Sequence, residues 1–441
     1  MIFYHTYIPI LFYLIPLFLI TGPFLPDLSL CIIAFFGLIF LFRNKNWFSL
    51  VRYPIILILI IFYIYALINS LFSDYVLNSL EHSLFYFRYI FFLLSIYFLY
   101  SKFKKIFVSR FLIISFISSI VLTIDLFIQY LFGQNLMGYV MDPNLKGMRF
   151  SGFFKDELIA GSYLSRLLPF VLILYFYLIK EKQVLFRIKI LYLLFVCLIF
   201  SGIFLSGERI ATFFSIIQIS FFIIINLSEK RVIKYFILLI ILASSIFAFT
   251  DNNMKKRIIN VTIDSFKMKT DIDGLILFTP THHAHYLTAW NMFIDKPIFG
   301  HGAKSFRLIC DNEKYIEIIK FEAVNNGNKF IEQINGCSTH PHNILLELLS
   351  ENGIIGLLIF YILYLFIFHT FIQSLFLFYK HRDKSLERII ILFCSLSFLL
   401  QFFPFIPSGS FYHNWLSVLY YLPLSFIYMI KIDKKQINEL K

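Results

Sequence analysis

Long apolar runs constrain the fold of this sequence more than any other feature. A bilayer core about 30 Å thick is spanned by roughly 20 apolar residues in a helix. With 59% hydrophobic and 15% charged residues, the chain cannot give every helix the polar outer face that a soluble protein needs. We therefore predict an all-α, polytopic integral membrane protein, which excludes a soluble enzyme, a DNA-binding protein and a disordered scaffold. About twelve transmembrane helices are predicted, over residues 3–21, 24–42, 54–72, 84–100, 106–132, 158–180, 187–206, 208–227, 232–250, 353–379, 388–403 and 413–431.

Basic residues are distributed unevenly between alternate loops of this predicted bundle. The short loops at 21–27, 73–83 and 404–412 carry no Lys or Arg, whereas the segments on the opposite side of the predicted bundle are rich in both. This asymmetry follows the positive-inside rule and places both termini in the cytoplasm. The net charge of +13 is therefore a topology signal, and we predict no nucleic-acid partner.

A polar stretch of about 90 residues between Thr250 and Ile344 interrupts the even spacing of the apolar blocks. The predicted organisation is a membrane domain over 1–250 with helices 1–9, a large periplasmic loop over 251–341, and a membrane domain over 342–441 with helices 10–12. Loops of this length are usually functional. Residues 1–21 lack a basic n-region and a cleavage site, so we predict a retained first helix.

The five cysteines divide between the apolar helices and the large loop. Cys31, Cys197 and Cys394 lie in predicted helices, where a free Cys behaves as a small hydrophobe. Cys310 and Cys337 lie in the loop with 26 residues between them. An oxidising periplasm permits a disulfide there, which would stabilise the loop by roughly 3 kcal/mol. We predict the disulfide; two free thiols are the alternative.

The large loop also contains six of the 11 histidines: His282, His283, His285, His301, His340 and His342. Zinc sites use characteristic Cys and His spacings with several converging ligands, and no carboxylate pattern accompanies these histidines. We therefore predict no metal and no cofactor. His282 and His301 are interpreted as polar surface residues.

His342 stands out because it directly precedes an apolar helical stretch. Thr339 or His340 can cap that helix, and Pro341 suits its first turn, where a missing N–H costs nothing. His342 would then lie on the first turn, where the positive end of the helix dipole disfavours imidazolium. A neutral imidazole is what a general base requires, whereas His340 should point elsewhere. A capping-region histidine without chemistry is the alternative.

Four sequence elements stand out along the chain: Arg149 with Gly152, Arg209 within LSGERIATF, Trp290-Pro297-Gly300-Gly302, and His342-Asn343 with Glu351-Asn352-Gly353-Ile354-Ile355-Gly356. Taken together and in this order, they resemble the O-antigen ligase/polymerase superfamily. In one departure, the Arg that the family commonly has four residues before the Trp is replaced by Tyr286, and Arg307 and His285 are the candidates to replace this cationic contact.

The resemblance implies a membrane glycosyltransferase of the bacterial inner membrane with a periplasmic active site. Its donor is an undecaprenyl-diphosphate-linked glycan, and its acceptor is either a lipid A–core sugar or another lipid-linked glycan. Arg209 would stabilise the diphosphate through a bidentate fork, unless it only snorkels to lipid headgroups, and His342 would act as the base. Residues predicted to bind substrate are Arg149, Arg166, Arg307, His285 and Asn343; a plain loop charge is the alternative for Arg149.

Further ionisable residues fall inside or beside the apolar blocks. An intramembrane charge such as Arg166 is a functional candidate by default. A structural ion pair between Asp125 and either Arg166 or Arg88 is the alternative. Glu208 either orients the adjacent Arg209 or faces water.

Three functions remain open at the level of sequence. A ligase is favoured slightly over a polymerase, because a histidine suits direct deprotonation of an acceptor hydroxyl. A transporter or lipid-glycan flippase also has many spans, but such proteins typically show two related halves with broken helices. This sequence shows no visible halving, and its one large polar segment follows the ninth predicted span on the outer side.

Overall fold

A computed structural model describes residues 2–44, 47–140, 149–181, 185–250, 279–325, 328–381 and 383–439. Helices dominate these residues, and a single two-stranded sheet accompanies them. The elements are α1 (Ile2–Phe18), α2 (Phe24–Arg43), α3 (Trp47–Val51), α4 (Pro54–Leu71), α5 (Val76–Leu84), α6 (Phe87–Phe132), α7 (Ala160–Glu181), α8 (Phe186–Leu205), α9 (Arg209–Ile225), α10 (Lys230–Thr250), α11 (Pro280–Asp295), α12 (Phe306–Ile309), β1 (Ile318–Asn325), β2 (Asn328–Asn335), α13 (Ile344–Lys380), α14 (Leu386–Gln401) and α15 (Asn414–Glu439).

Each predicted apolar block coincides with a helix or with part of one. The fourth and fifth blocks form one element, α6, which is broken at Lys104 with φ 47°. Among the described residues, seven helices are long and apolar enough to cross a membrane. The protein is therefore a mainly helical, multi-pass membrane protein.

The large loop contains a structure that the all-α prediction missed. Strands β1 and β2 pair antiparallel, with Ile318 opposite Asn335. Alternation of Ile319, Phe321 and Ala323 with charged residues gives β1 the period of two that suits a strand. The first part of the predicted loop, 251–278, lies outside the described residues.

Burial separates central helices from peripheral ones. Of the most apolar 18-residue stretch of each helix, 89% is buried in α15 and 78% in α7, but only 39% in α4 and 33% in α13. The two central helices also have the lower mean hydropathy, 1.4 against 2.4 for α4 and 2.3 for α13. Central helices face protein rather than lipid, so they can carry more polar side chains.

One end of the bundle collects the connections that matter for function. Trp415 Nε1 donates to the Leu19 carbonyl (2.9 Å), and Lys296 Nζ pairs with Asp74 (2.6 Å). Asn343 Nδ2 donates to the Pro404 carbonyl (2.9 Å). These contacts join the loop after α1 to the start of α15, and the loops after α4 and α14 to the segment 279–343. We call this end of the molecule the site end.

Candidate functional site

The helix that follows His342 begins later than predicted. Asn343 is its N-cap and accepts a hydrogen bond from Leu346 N (3.1 Å), so the predictions of a cap at Thr339 or His340 and of His342 on the first turn were wrong. His342 precedes the cap with φ 52°, a left-handed conformation that is strained in a non-glycine residue. Such strain is often found at functional sites. An Asn side chain caps better than His because its oxygen reaches the orphan N–H groups.

Four imidazoles meet at this point, and we call His282, His285, His340 and His342 the histidine cluster. The His342 ring centroid lies 4.0 Å from that of His340, 5.4 Å from that of His285 and 5.7 Å from that of His282. The expectation that His340 points elsewhere was wrong, because the turn at Pro341 and His342 is not helical and brings both rings to one side.

The histidine cluster is held neutral by its surroundings. Burial, and to a lesser extent the neighbouring His285, lower the pKa of His342 to about 4. Burial is thus the leading cause, not the helix end that the sequence suggested. Burial and the other rings likewise lower the pKa of His282 to about 4 and that of His340 to about 2.

His285 is oriented by the backbone of the loop. Its Nδ1 lies 2.9 Å from the Gly336 carbonyl, which can only accept, so Nδ1 carries the proton and Nε2 is left as an acceptor. Among the described residues, no group of three or more His, Cys, Asp or Glu side chains is placed to hold a metal ion.

Two histidines interpreted as surface residues are placed differently by the structure. His282 belongs to the histidine cluster. Thr279 is the N-cap of α11, and His282 and His285, three residues apart on this helix, lie on the same face. His301 is 1% exposed, and its Nε2 lies 3.0 Å from the Met292 carbonyl. Both were misjudged because a polar loop sequence does not reveal which of its residues pack inward.

Cations surround the histidine cluster. Arg209 opens α9 and is close enough to His282 to contribute to its lowered pKa. Arg307 is exposed on α12 and acts in the same way on His340. Lys304 and Arg307 interact electrostatically with His413. The site therefore combines neutral imidazoles with fixed positive charge, the composition that an anionic substrate undergoing proton transfer requires.

Glu208 anchors the cationic side of the site. Its carboxylate accepts hydrogen bonds from Gly161 N (2.7 Å), Ser162 N (3.2 Å) and Ser162 Oγ (2.6 Å). Burial raises the pKa of Glu208, while Ser162 and the charge of Arg149 oppose that rise. Glu208 thus fixes the start of α9, and with it Arg209, against the start of α7.

Arg149 and Arg166 lie around this carboxylate rather than in the histidine cluster. Arg149 Nη2 donates to the Leu158 carbonyl (2.9 Å), and Arg149 also interacts with Arg209. Arg166 is 7% exposed and donates to the Ser162 carbonyl (3.2 Å). In both guanidinium groups the Nε atom is buried without a hydrogen-bond partner.

The two ion pairs considered for Asp125 are not formed. Asp125 instead accepts hydrogen bonds from Leu136 N (2.8 Å) and Asn135 Nδ2 (3.3 Å). Arg88 pairs with Asp27 at 3.1 Å. Asp125 lies near the end of α6, where the following loop offers backbone N–H groups that sequence cannot identify as its partners.

The glycines of the family motifs allow two backbones to meet at the site end. Gly353 interrupts α13 with φ 63°, and a Cβ there would lie 2.2 Å from the Ile298 carbonyl oxygen. Gly300 has φ 72° and would carry its Cβ 2.5 Å from the Glu351 backbone. Glu351 in turn accepts hydrogen bonds from Lys304 N (2.7 Å) and Phe306 N (3.1 Å). Gly300, Gly353 and the Glu351 carboxylate therefore hold the loop that carries Lys304 and Arg307 against the broken helix.

A second carboxylate and Asn343 fasten the other side of the broken helix. Glu347 accepts hydrogen bonds from Ser410 Oγ (2.6 Å) and Phe411 N (2.8 Å). The amide of Asn343 bonds both the first turn of α13 and Pro404. These bonds fix the residue next to His342, and the substrate contact predicted for Asn343 stays a prediction. Tyr286, at the position of the missing family Arg, lies beside Asn343.

A disulfide links the two cysteines of the large loop. Cys310 and Cys337 are bonded with their Cα atoms 4.9 Å apart. Cys310 ends the short helix that carries Arg307, and Cys337 precedes the turn that carries His340 and His342. The bond therefore ties the turn that carries His340 and His342 to the helix that carries Arg307.

Sequence reasoning missed three contributors to this site: His282, Lys304 and His413. A signal existed for His282, since Thr279-Pro280 begins a helix and places His282 and His285 three residues apart. Lys304 and His413 come from separate loops whose approach depends on tertiary contacts.

Comparison with known proteins places this site in a family context. Residues 193–361 match the family described as O-antigen ligase, which confirms the resemblance over that stretch. The match contains Arg209, the histidine cluster and Arg307, but neither Arg149 nor Arg166.

Two curated relatives carry the name "Putative polysaccharide ligase". The one from Rickettsia conorii is 36% identical over 95 residues, which cover 20% of this chain and 20% of the relative. The one from Rickettsia felis is 35% identical over 95 residues, covering 20% of this chain and 21% of the relative. The chain therefore matches about a fifth of each relative's length.

Proposed function

We propose that this chain is a membrane glycosyltransferase of the O-antigen ligase type. It transfers an undecaprenyl-diphosphate-linked glycan to a sugar hydroxyl of lipid A–core, at the periplasmic face of the bacterial inner membrane. The observation that carries the proposal is that neutral His342 packs against His282 and His340 at one end of a membrane bundle, while His282 interacts electrostatically with Arg209 and His340 with Arg307. The family match and the names of the relatives support the same class of reaction.

The transfer forms one glycosidic bond, breaks one sugar–phosphate bond and moves one proton. His342 takes the proton from the acceptor hydroxyl, and the oxygen attacks the anomeric carbon of the donor glycan. The bond between that carbon and the diphosphate oxygen breaks, and undecaprenyl diphosphate leaves with the electron pair. Arg209 stabilises the charge that develops on the diphosphate, because its planar fork binds two phosphate oxygens at once.

The remaining residues have supporting roles in this proposal. Arg307 replaces the cation that the family commonly has at the position of Tyr286, and neutral His285 binds substrate through its acceptor Nε2. Arg149 and Arg166, gathered around Glu208, extend the positive field on the side of Arg209.

Deletion of the gene tests the reaction and separates ligase from polymerase. If the proposal is right, lipopolysaccharide from the deletion strain will run on a gel as core without O-chain, and the wild-type gene will restore the ladder. Core carrying one repeat unit would identify a polymerase. An unchanged ladder would contradict both functions.

A further inference from the structure

A cavity lined by four cationic side chains lies at the opposite end of the bundle from the histidine cluster. It has a volume of about 520 Å³ and lies where α4 begins, α13 ends, α14 begins and α15 ends. These are the points at which the helices leave their apolar spans, which is the depth of lipid headgroups. Its lining residues are Tyr53, Gln373, Leu377, Arg388, Ile391, Lys431, Lys434 and Lys435.

Positive charge dominates the cavity wall. Arg388 is 12% exposed in its side chain and is held by Asp383 at 3.0 Å, and it interacts electrostatically with both Lys431 and Lys434. Glu387 is a further carboxylate near Lys434. Like charges gathered in a partly enclosed space repel one another, so an anion that enters it is bound favourably.

An apolar path leads away from these cations along α4. Tyr53, Leu57 and Ile61 recur at four-residue spacing on one face of that helix. Leu57 is 43% exposed and Ile61 is 46% exposed, and both lie within a candidate membrane span. A ligand with a charged head in the cavity can therefore rest its hydrocarbon chains against this face.

We propose that this cavity, which we call the basic cavity, binds the phosphate group of an anionic phospholipid. Arg388, Lys431 and Lys434 contact the phosphate, and the exposed face of α4 contacts an acyl chain. Basic pockets between transmembrane helices are a recurrent means of binding anionic lipid headgroups. The site is separate from the transfer reaction and uses none of its residues.

Native mass spectrometry of the delipidated full-length protein tests this proposal. The protein is titrated with dioleoyl phosphatidylglycerol and with dioleoyl phosphatidylcholine, which has the same chains and no net charge. Each juxtamembrane cation contributes about a fivefold preference, so Lys431→Gln/Lys434→Gln should weaken phosphatidylglycerol binding by about thirtyfold and leave phosphatidylcholine binding unchanged. Arg187→Gln/Lys230→Gln removes the same charge at the same end of the bundle and should bind as wild type does.

Several results would overturn the proposal. One is an equal loss in the two double variants, which would make the effect one of net charge. Another is equal binding of the two lipids by wild type. Displacement of phosphatidylglycerol by millimolar inorganic phosphate would mean that the cavity binds a free anion and that the acyl chain adds nothing. Chromatographic monodispersity and the unfolding temperature of each variant exclude misfolding as the cause of a loss.

Discussion

Arg209 and Glu208 are neighbours in sequence with different duties. The Glu208 carboxylate accepts hydrogen bonds from Gly161 and Ser162 of α7. These bonds fix where α9 begins. Arg209 is then presented at the site end beside His282. An ammonium group in the same place would keep the charge but lose the planar fork.

Arg209→Lys should therefore lower transfer by about 10²–10³-fold, the size of effect seen when one donor to a developing oxyanion is removed. Insertion and thermal unfolding should stay as in wild type. Transfer is measured with purified protein and a lipid-linked donor. Wild-type turnover in this variant would remove Arg209 from the reaction.

The lowered pKa of His342 predicts an unusual pH dependence. Only the neutral imidazole accepts a proton, so activity is lost as the pH falls through the pKa and is present above it. With the pKa at about 4, kcat/KM should rise between about pH 3 and 5 and then stay level to neutrality. The profile is measured with return to pH 7 as a control for irreversible unfolding. An acid limb centred near 6.5, the ordinary value for histidine, would contradict burial of the base.

From the sequence, the chemical type of a candidate site residue could be predicted better than its neighbours in the folded protein. His342, Arg209, Arg307 and His285 could be selected because their chemistry matched motifs. Their neighbours could not: the left-handed turn at His342 and the approach of His340 to 4.0 Å arise from contacts with Ser408 and Pro404, which are distant in sequence.

The interruption of α13 at Gly353 predicts that a side chain at this position will disturb the site. Gly353→Ala puts a Cβ 2.2 Å from the Ile298 carbonyl at φ 63°, so the loop carrying Lys304 and Arg307 must move away. We expect a lowered unfolding temperature and loss of most transfer activity. Gly133 also has positive φ, 75°, but its Cβ would meet nothing within 4 Å.

Gly133→Ala is therefore the matched control, because it carries only the backbone strain of about 1–2 kcal/mol. It should keep its transfer activity. Equal losses in the two variants would mean that the contact between Gly353 and Ile298 has no special importance.

The disulfide is the second element-scale prediction. Cys310→Ser/Cys337→Ser should lower the free energy of unfolding by roughly 3 kcal/mol and reduce transfer, because it releases the turn that carries His342 from α12. A reducing agent should reproduce the effect in wild type. Cys31→Ser is the control. Alkylation of all five cysteines in denatured, non-reduced protein would show that the bond does not form.

Elements of the membrane domain were easier to predict than those of the loop. A membrane-spanning helix can be recognised from its composition, because few other structures can satisfy their backbone hydrogen bonds within a bilayer. The hairpin of β1 and β2 has only a short alternating pattern, and its pairing could not be distinguished from irregular loop. The interruption of α13 at Gly353 was likewise hidden, since a glycine within an apolar run reads as ordinary helix.

At the scale of the whole molecule, topology is the open prediction. The loops without Lys or Arg gather with segment 279–343 at the site end, whereas contacts such as Lys104 with Asp433 and Lys189 with Glu229 lie at the other end. The positive-inside rule then predicts that the site end is periplasmic.

Cysteine labelling in intact cells tests this orientation. Leu136 is 60% exposed at the site end, and Leu227 is 57% exposed at the opposite end. An impermeant maleimide should label Leu136→Cys from outside the inner membrane and label Leu227→Cys only after permeabilisation. The reverse pattern would place the histidine cluster in the cytoplasm and exclude the proposed reaction.

The proposed reaction depends most on His342 as the proton acceptor, and a paired assay of His342→Ala tests this role directly. Donor photocrosslinking measures binding, and gel-shifted glycan product measures turnover. A base acts in the transition state and not in ground-state binding. His342→Ala should therefore crosslink nearly as wild type does while transfer falls by about 10²–10⁴-fold. His340→Ala should retain a substantial fraction of turnover, and His381→Ala, at the far end of α13, should retain all of it. Wild-type turnover in His342→Ala, or loss of crosslinking together with turnover, would contradict its assignment as the base.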